Sequence, residues 1–259
     1  MSLVKSGRGE ERIFRCPSHK AHKIFLKKDS FWESSHLKFK QIVELLFLWA
    51  FKIPVSTAND LVDVSEKTIV QWFAYFRDIC TNNLVNNPYR IGGPGVIVEI
   101  DESLVAKRKN NVGHVVEQRW VFGDVCPATG QGFLTHIADK SAATLLPLIM
   151  RYVEPGSIIH SDGLPSYNNI ATLPVNPPYQ HLVVNHNRNF VDPVTGACTN
   201  HVECYWKNCK RRFRVMAGVH NSTLDSHLDE FMWREIHGKT GEDALNNILL
   251  HLSQWYPLP

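Results

Sequence analysis

Two short apolar runs, VIVEID at 96–101 and SIIHSD at 157–162, each end on an acid. A short run of this kind reads as a buried strand that delivers a carboxylate to the edge of a sheet, so the chain is constrained to pack a core around two such edges. Val96, Val98 and Ile100 alternate with Ile97, Glu99 and Asp101, which puts Glu99 and Asp101 on one face and Glu102 on the other. Asp101 is the stronger ligand candidate, since it is expected to end its strand before a polar turn. Asp162 stands before Gly163 and would pass for a turn former if met alone. A third acid, Glu203, lies near the start of TNHVECYWKNCKRRFR, which reads as a basic amphipathic helix.

A sheet and a helix can bring these three acids to one pocket. Convergent carboxylates repel one another unless cations separate them, and their hard oxygens suit two Mg²⁺ or Mn²⁺ ions. That chemistry points to metal-assisted phosphoryl transfer. Helical spacing places Glu203, Trp206, Lys207, Lys210 and Arg214 along one side, and Arg211 and Arg212 widen the basic surface. A carboxylate that binds metal beside cations that bind phosphate suits a nucleic-acid phosphodiester. Taken alone, KNCKRRFR reads equally well as a solvated basic helix or a nuclear-localisation patch.

Composition excludes little else. At 259 residues with 44% hydrophobic and 20% charged residues, the chain can bury one substantial core plus a smaller accessory domain. Its net charge of +3 does not by itself demand a nucleic-acid partner. No apolar run has membrane-spanning length and the first residues lack a signal-peptide core, so an intracellular protein with no membrane partner is expected. The six cysteines are scattered, and reduced thiols follow. Cys198, His201, Cys204 and Cys209 cluster without a paired C-x-x-C knuckle, and Cys16 with His19 and His22 lacks a second cysteine pair, so neither reads as a zinc site.

Residues 1–36 read as a polar N-terminal arm, at most a short hairpin. Residues 37–90 read as helical: a packing helix from Lys38 to Lys52 stopped by Pro54, a short helix capped by Ser56 or Thr57, and a longer one capped by Ser65. This is a helix-turn-helix pattern, which would expose Ser65, Lys67, Thr68 and Gln71 to DNA; a plain three-helix bundle has the same pattern. NNPYRIGGPG marks a boundary. Over 95–221 three antiparallel strands, a helix and two further strands precede the helix of Glu203, and 222–259 adds two helices packed on that domain. The expected fold class is therefore α/β (α+β), a ribonuclease-H-like mixed sheet flanked by helices and preceded by an all-α domain.

IVEIDES, WVFGDVCPATGQGF, IIHSDGLPSYNNI, HVECYWKNCKRRFR and LDSHLDEFMWRE, in this order, resemble the DDE transposases of the Merlin type and their bacterial insertion-sequence relatives. Sixty residues lie between Asp101 and Asp162 and forty between Asp162 and Glu203, which suits that family. The resemblance implies that Asp101, Asp162 and Glu203 hold two divalent ions. One would activate water or a DNA 3′-hydroxyl and the other would stabilise the leaving oxygen. It also implies a basic residue on the late helix, Lys207 or Lys210, and end-binding to terminal inverted repeats by an oligomer, in the nucleus of a eukaryote or the cytoplasm of a bacterium. His160 and His201 flank the site in sequence, as orienting groups or as structural histidines. The family's N-terminal zinc ribbon is reduced here to Cys16 and its flanking residues. Two other readings keep the fold: a domesticated DNA-binding protein without catalysis, and a structure-selective nuclease that would need no helix-turn-helix.

Overall fold

The computed structural model describes residues 2–5, 12–19, 23–25, 27–106, 119–184, 191–216 and 218–257. These divide into two compact units, Met1–Asn83 with His237–Pro259, and Leu84–Ile236.

The first unit begins with three strands, β1 (Ser2–Lys5), β2 (Arg12–Arg15) and β3 (Lys23–Phe25), paired antiparallel in that order. The arm thus goes beyond the expected hairpin to a three-stranded sheet. Helix α1 (Phe39–Ala50) follows, with Ile42, Leu45, Leu46 and Trp49 buried at helical spacing. Helix α2 (Val55–Leu61) starts from Pro54 rather than from a hydroxyl cap, because the fixed φ of proline already suits a helix start. Ser65 does cap α3 (Glu66–Asn86): its Oγ accepts from the backbone N of Thr68 at 3.3 Å.

In the second unit β4 (Ile91–Gly92) leads into β5 (Ile97–Ala106), β6 (Arg119–Val125) and β7 (Gly132–Ile137). Then come α4 (Ala142–Tyr152), capped by Ser141, the short β8 (Val153–Glu154), β9 (Ile158–Ser161), two 3₁₀ turns, and β10 (Gln180–Val183). Helices α5 (Asn200–Val215) and α6 (Leu224–His237) complete it. The final helix, α7 (Gly241–Trp255), belongs to the first unit, where it packs on α1, which corrects the expectation that both C-terminal helices pack on the domain of the large sheet.

Five strands form one sheet in the order β10-β9-β5-β6-β7. β5, β6 and β7 are antiparallel, whereas β9 and β10 run parallel to β5. Three antiparallel strands extended by two parallel ones beside the first, with helices on the faces, are the ribonuclease-H-like topology expected from the sequence. One face packs Val98, Ile100, Phe122 and Ile159 against Leu145 and Ile149 of α4. Val121, Val125 and Leu134 meet Val202, Tyr205, Trp206, Cys209 and Phe213 of α5. That second contact needs Gly123, where a β-carbon would collide with the indole of Trp206. Among the described residues, no helix is long and apolar enough to cross a membrane.

Candidate functional site

The register of the sheet juxtaposes the two strand acids. β5 and β9 pair in parallel through Glu99 and His160; Asp101 lies two residues beyond on β5 and Asp162 directly past the end of β9, near enough for its charge to act on Asp101. Contrary to expectation, Asp101 does not end its strand. β5 runs on to Ala106 against β6, and only its parallel neighbour stops at Ser161. The notch in the sheet is thus made by the end of β9.

Helix α5 lies along one face of β5 and meets Glu99, Asp101 and Ser103 in turn, the three positions that period two puts on that face. Glu99, only 1% exposed, holds the start of the helix. Its Oε2 accepts from the backbone N of His201 at 2.8 Å and of Val202 at 3.1 Å, which satisfies donors that a helix N-terminus leaves free. At the other end Lys210 donates to Ser103 Oγ. Asp101 lies between these anchors. Burial pushes its carboxyl up to about 7, with the charges of Asp162 and Glu203 adding to the rise and Lys210 opposing it. Asp101, Asp162, Glu203 and Lys210 therefore share one electrostatic environment. Burial pulls the Lys210 ammonium down from its ordinary value, against the pull of Asp101.

Glu102 faces the opposite way, as alternation requires, yet it borders the same cluster. Burial first, then the charges of Asp101 and Asp162, raise it to about 8, and Lys140, with Nζ 3.9 Å from Oε2, offsets part of that. Lys140 also sits 4.2 Å over the Trp120 ring, which fixes its direction.

Other expected residues are placed differently. Trp206 does not share the face of Glu203; it is 3% exposed and part of the core, because the apolar face of α5 runs through Val202, Tyr205, Trp206, Cys209 and Phe213. Lys207, Arg211 and Arg214 remain exposed on the outer side. Arg212 is engaged inside the unit, with Nη2 2.9 Å from Glu230 Oε1, an oxygen that also accepts from Arg234 Nε. In the first unit Lys67, Thr68 and Gln71 line a groove walled by Phe31, Trp72, Tyr75 and Trp255, while Ser65 and Thr68 hydrogen-bond each other at 2.8 Å. Cys16 Sγ lies 3.7 Å from His19 Nδ1, and His22 falls outside the described residues.

Neither Ser103 nor Lys140 stands out in the sequence, and Glu99 shares the face of Asp101 there without an evident partner, although the alternation E-I-D-E-S also puts Ser103 on that face.

The model of the ISXO2-like transposase domain matches residues 91–235, more than half of the chain. The chain belongs to this family. A transposase-like protein of Haemophilus influenzae, itself uncharacterized, is 29% identical to this transposase over 98 residues, 38% of the present chain and 75% of the relative. Among solved structures, the catalytic core domain of BIV integrase is similar at 16% identity and a TM-score of 0.39, covering 56% of this chain and 86% of that one. A simian T-cell lymphotropic virus intasome, determined with the PP2A regulatory subunit B56 gamma, gives 17% identity, a TM-score of 0.37 and coverage of 73% and 67%. The fold assignment of this ISXO2-like transposase rests on the order and direction of its strands.

Proposed function

We propose that this transposase, of the Merlin type within the insertion-sequence group, binds terminal inverted repeats, cleaves at the element ends and joins the freed 3′ ends to target DNA. The observation that carries the reading is the acid cluster, in which Asp101 is held near 7 by burial and by Asp162 and Glu203. Folding three carboxylates together is unfavourable in isolation and becomes favourable when divalent cations share their oxygens. Asp101, Asp162 and Glu203 offer hard oxygen donors, and that donor set fits Mg²⁺ or Mn²⁺. Asp101, Asp162 and Glu203 would hold two ions. Bound there, such ions supply activation of an attacking hydroxyl and neutralisation of charge on a phosphodiester.

The chain's own residues supply the rest. Lys210, tethered to Ser103, sets a cation beside the acids where a scissile phosphate would approach. Lys207, Arg211 and Arg214, exposed on the same helix, extend the positive surface that would meet DNA phosphates. Helices α2 and α3 would read the element ends as a helix-turn-helix, with Ser65, Lys67, Thr68 and Gln71 at the front of α3. Joining two ends to one target makes a dimer or larger assembly the working form.

The arginine neighbours on α5 separate DNA contact from scaffold. Arg212→Ala is expected to lower unfolding free energy by about 1–3 kcal/mol and to leave DNA affinity unchanged, since it leaves buried Glu230 with fewer donors. Arg211→Ala is expected to keep stability within about 0.5 kcal/mol and to reduce the salt slope of DNA binding by about 1. Chemical denaturation and binding titrations across salt check both.

The test of the function is cleavage and strand transfer on DNA carrying the flanking inverted repeats, in Mg²⁺ and in Mn²⁺. Metal-dependent nicking at the repeat ends with joined products is the expected result. Specific binding without cleavage in either metal would replace this reading with the non-catalytic DNA-binding protein.

A further inference from the structure

Beside the acid cluster, a second group of side chains offers a different kind of ligand set. Glu99, Cys198 and His201 each present one donor atom, and these atoms all lie within 4.8 Å of one another. The two oxygens of Glu99 have separate roles. Oε2 is committed to the backbone at the start of α5, while Oε1 faces Cys198 Sγ at 3.4 Å and His201 Nδ1 at 2.7 Å. Oε1, Sγ and Nδ1 thus form a triangle now held by a thiol proton and an imidazole proton.

We propose that Glu99, Cys198 and His201 form a binding site for a thiophilic divalent cation of the zinc class, tying β5 to the start of α5. A thiolate and an imidazole select Zn²⁺ over the hard ions suited to Asp101, Asp162 and Glu203, so the two sites differ in the metal they take. Three protein ligands leave one tetrahedral position, and the His201 side chain, 57% exposed, leaves that position open to water. Binding displaces the thiol proton to solvent and moves the imidazole proton from Nδ1 to Nε2, so one proton is released per ion. The carboxylate charge of Glu99 offsets the unfavourable placement of a cation beside a helix N-terminus. The inference stands on this geometry and does not depend on the strand-transfer reading.

Cobalt(II) is the probe, because a cysteine thiolate bound to it gives a charge-transfer band in the near ultraviolet that oxygen ligands do not. The whole chain, freed of metal and kept reduced, is titrated with Co²⁺. One equivalent of band-forming Co²⁺, displaced by Zn²⁺ but not by excess Mg²⁺, is the expected result. Cys198→Ser, which conserves volume, is expected to abolish the band, and His201→Ala to weaken binding at least tenfold. Asp101→Asn and Cys16→Ser are expected to keep it, the latter excluding the Cys16–His19 pair as its source. Thermal melting of each variant confirms folding. Absence of the band in the wild-type chain, or its survival in folded Cys198→Ser, overturns the proposal.

Discussion

Asp101→Asn is expected to reduce metal-dependent cleavage by about 10³-fold or more while making the metal-free protein more stable. The two effects have one cause. In the folded chain burial, Asp162 and Glu203 push the Asp101 carboxyl up to about 7, from an ordinary value of 3.8. Between those values the folded state binds more protons than the unfolded state, so stability falls as pH rises from about 4 to about 7. Glu102 and the fully buried Asp124, each pushed up to about 8, act in the same direction. An asparagine keeps the volume and removes the charge, which removes one of these contributions. With solvent reaching the half-buried carboxylate, the gain above pH 7 is expected to be about 2 kcal/mol rather than the full value of the shift. Asparagine also lacks the anionic oxygens a divalent ion needs, and the reaction loses its charge neutralisation. Denaturation in the absence of divalent ions at pH 5 and pH 8 should show a wild-type loss of stability that is smaller in the variant. Added Mg²⁺ should stabilise the wild type and leave Asp101→Asn nearly unchanged. A variant that is less stable at pH 8, or that still cleaves, would remove Asp101 from the metal cluster.

The parts of the fold that were legible in the sequence are those encoded by short-range pattern. Alternation in VIVEID and the run SIIHSD place β5 and β9, and their equal offsets from Glu99 and His160 bring Asp101 beside Asp162. Helical spacing puts Glu203 and Lys210 on a common side of α5. What the sequence hid depends on residues distant along the chain. β5 continues past Asp101 because β6 pairs with it as far as Ala106, a partnership that the local sequence ESLVA does not announce. Trp206 turns inward because Gly123, more than eighty residues earlier, leaves room for an indole on the sheet. Arg212 belonged to a uniform basic run until α6 supplied Glu230. Likewise α7 has an amphipathic pattern that would fit either unit, and its partnership with α1 is settled by packing.

Glu99→Ala is expected to lower cleavage by about 10- to 100-fold although Glu99 touches neither the acids nor the phosphate, the range found when outer-shell partners of metal ligands are removed. Glu99 fixes where α5 begins, through two backbone donors and the ring of His201, and Glu203 follows directly in the first turn of the same helix. Loss of the cap frees the first turn to fray and lets the Glu203 carboxylate wander from Asp101, with a stability cost of about 2 kcal/mol. Glu99→Gln separates positioning from bulk stability. Its amide oxygen can still accept from His201 N and Val202 N, so most of the cap survives, and cleavage is expected to recover toward the wild-type rate. A purely structural role would lower the melting temperature of Glu99→Ala but leave the rate per folded molecule, and the Mg²⁺ concentration for half-maximal cleavage, where they were. A positioning role raises that Mg²⁺ concentration in Glu99→Ala and restores it in Glu99→Gln, because the carboxylate that Glu99 holds in place is one of the three proposed to bind the metal.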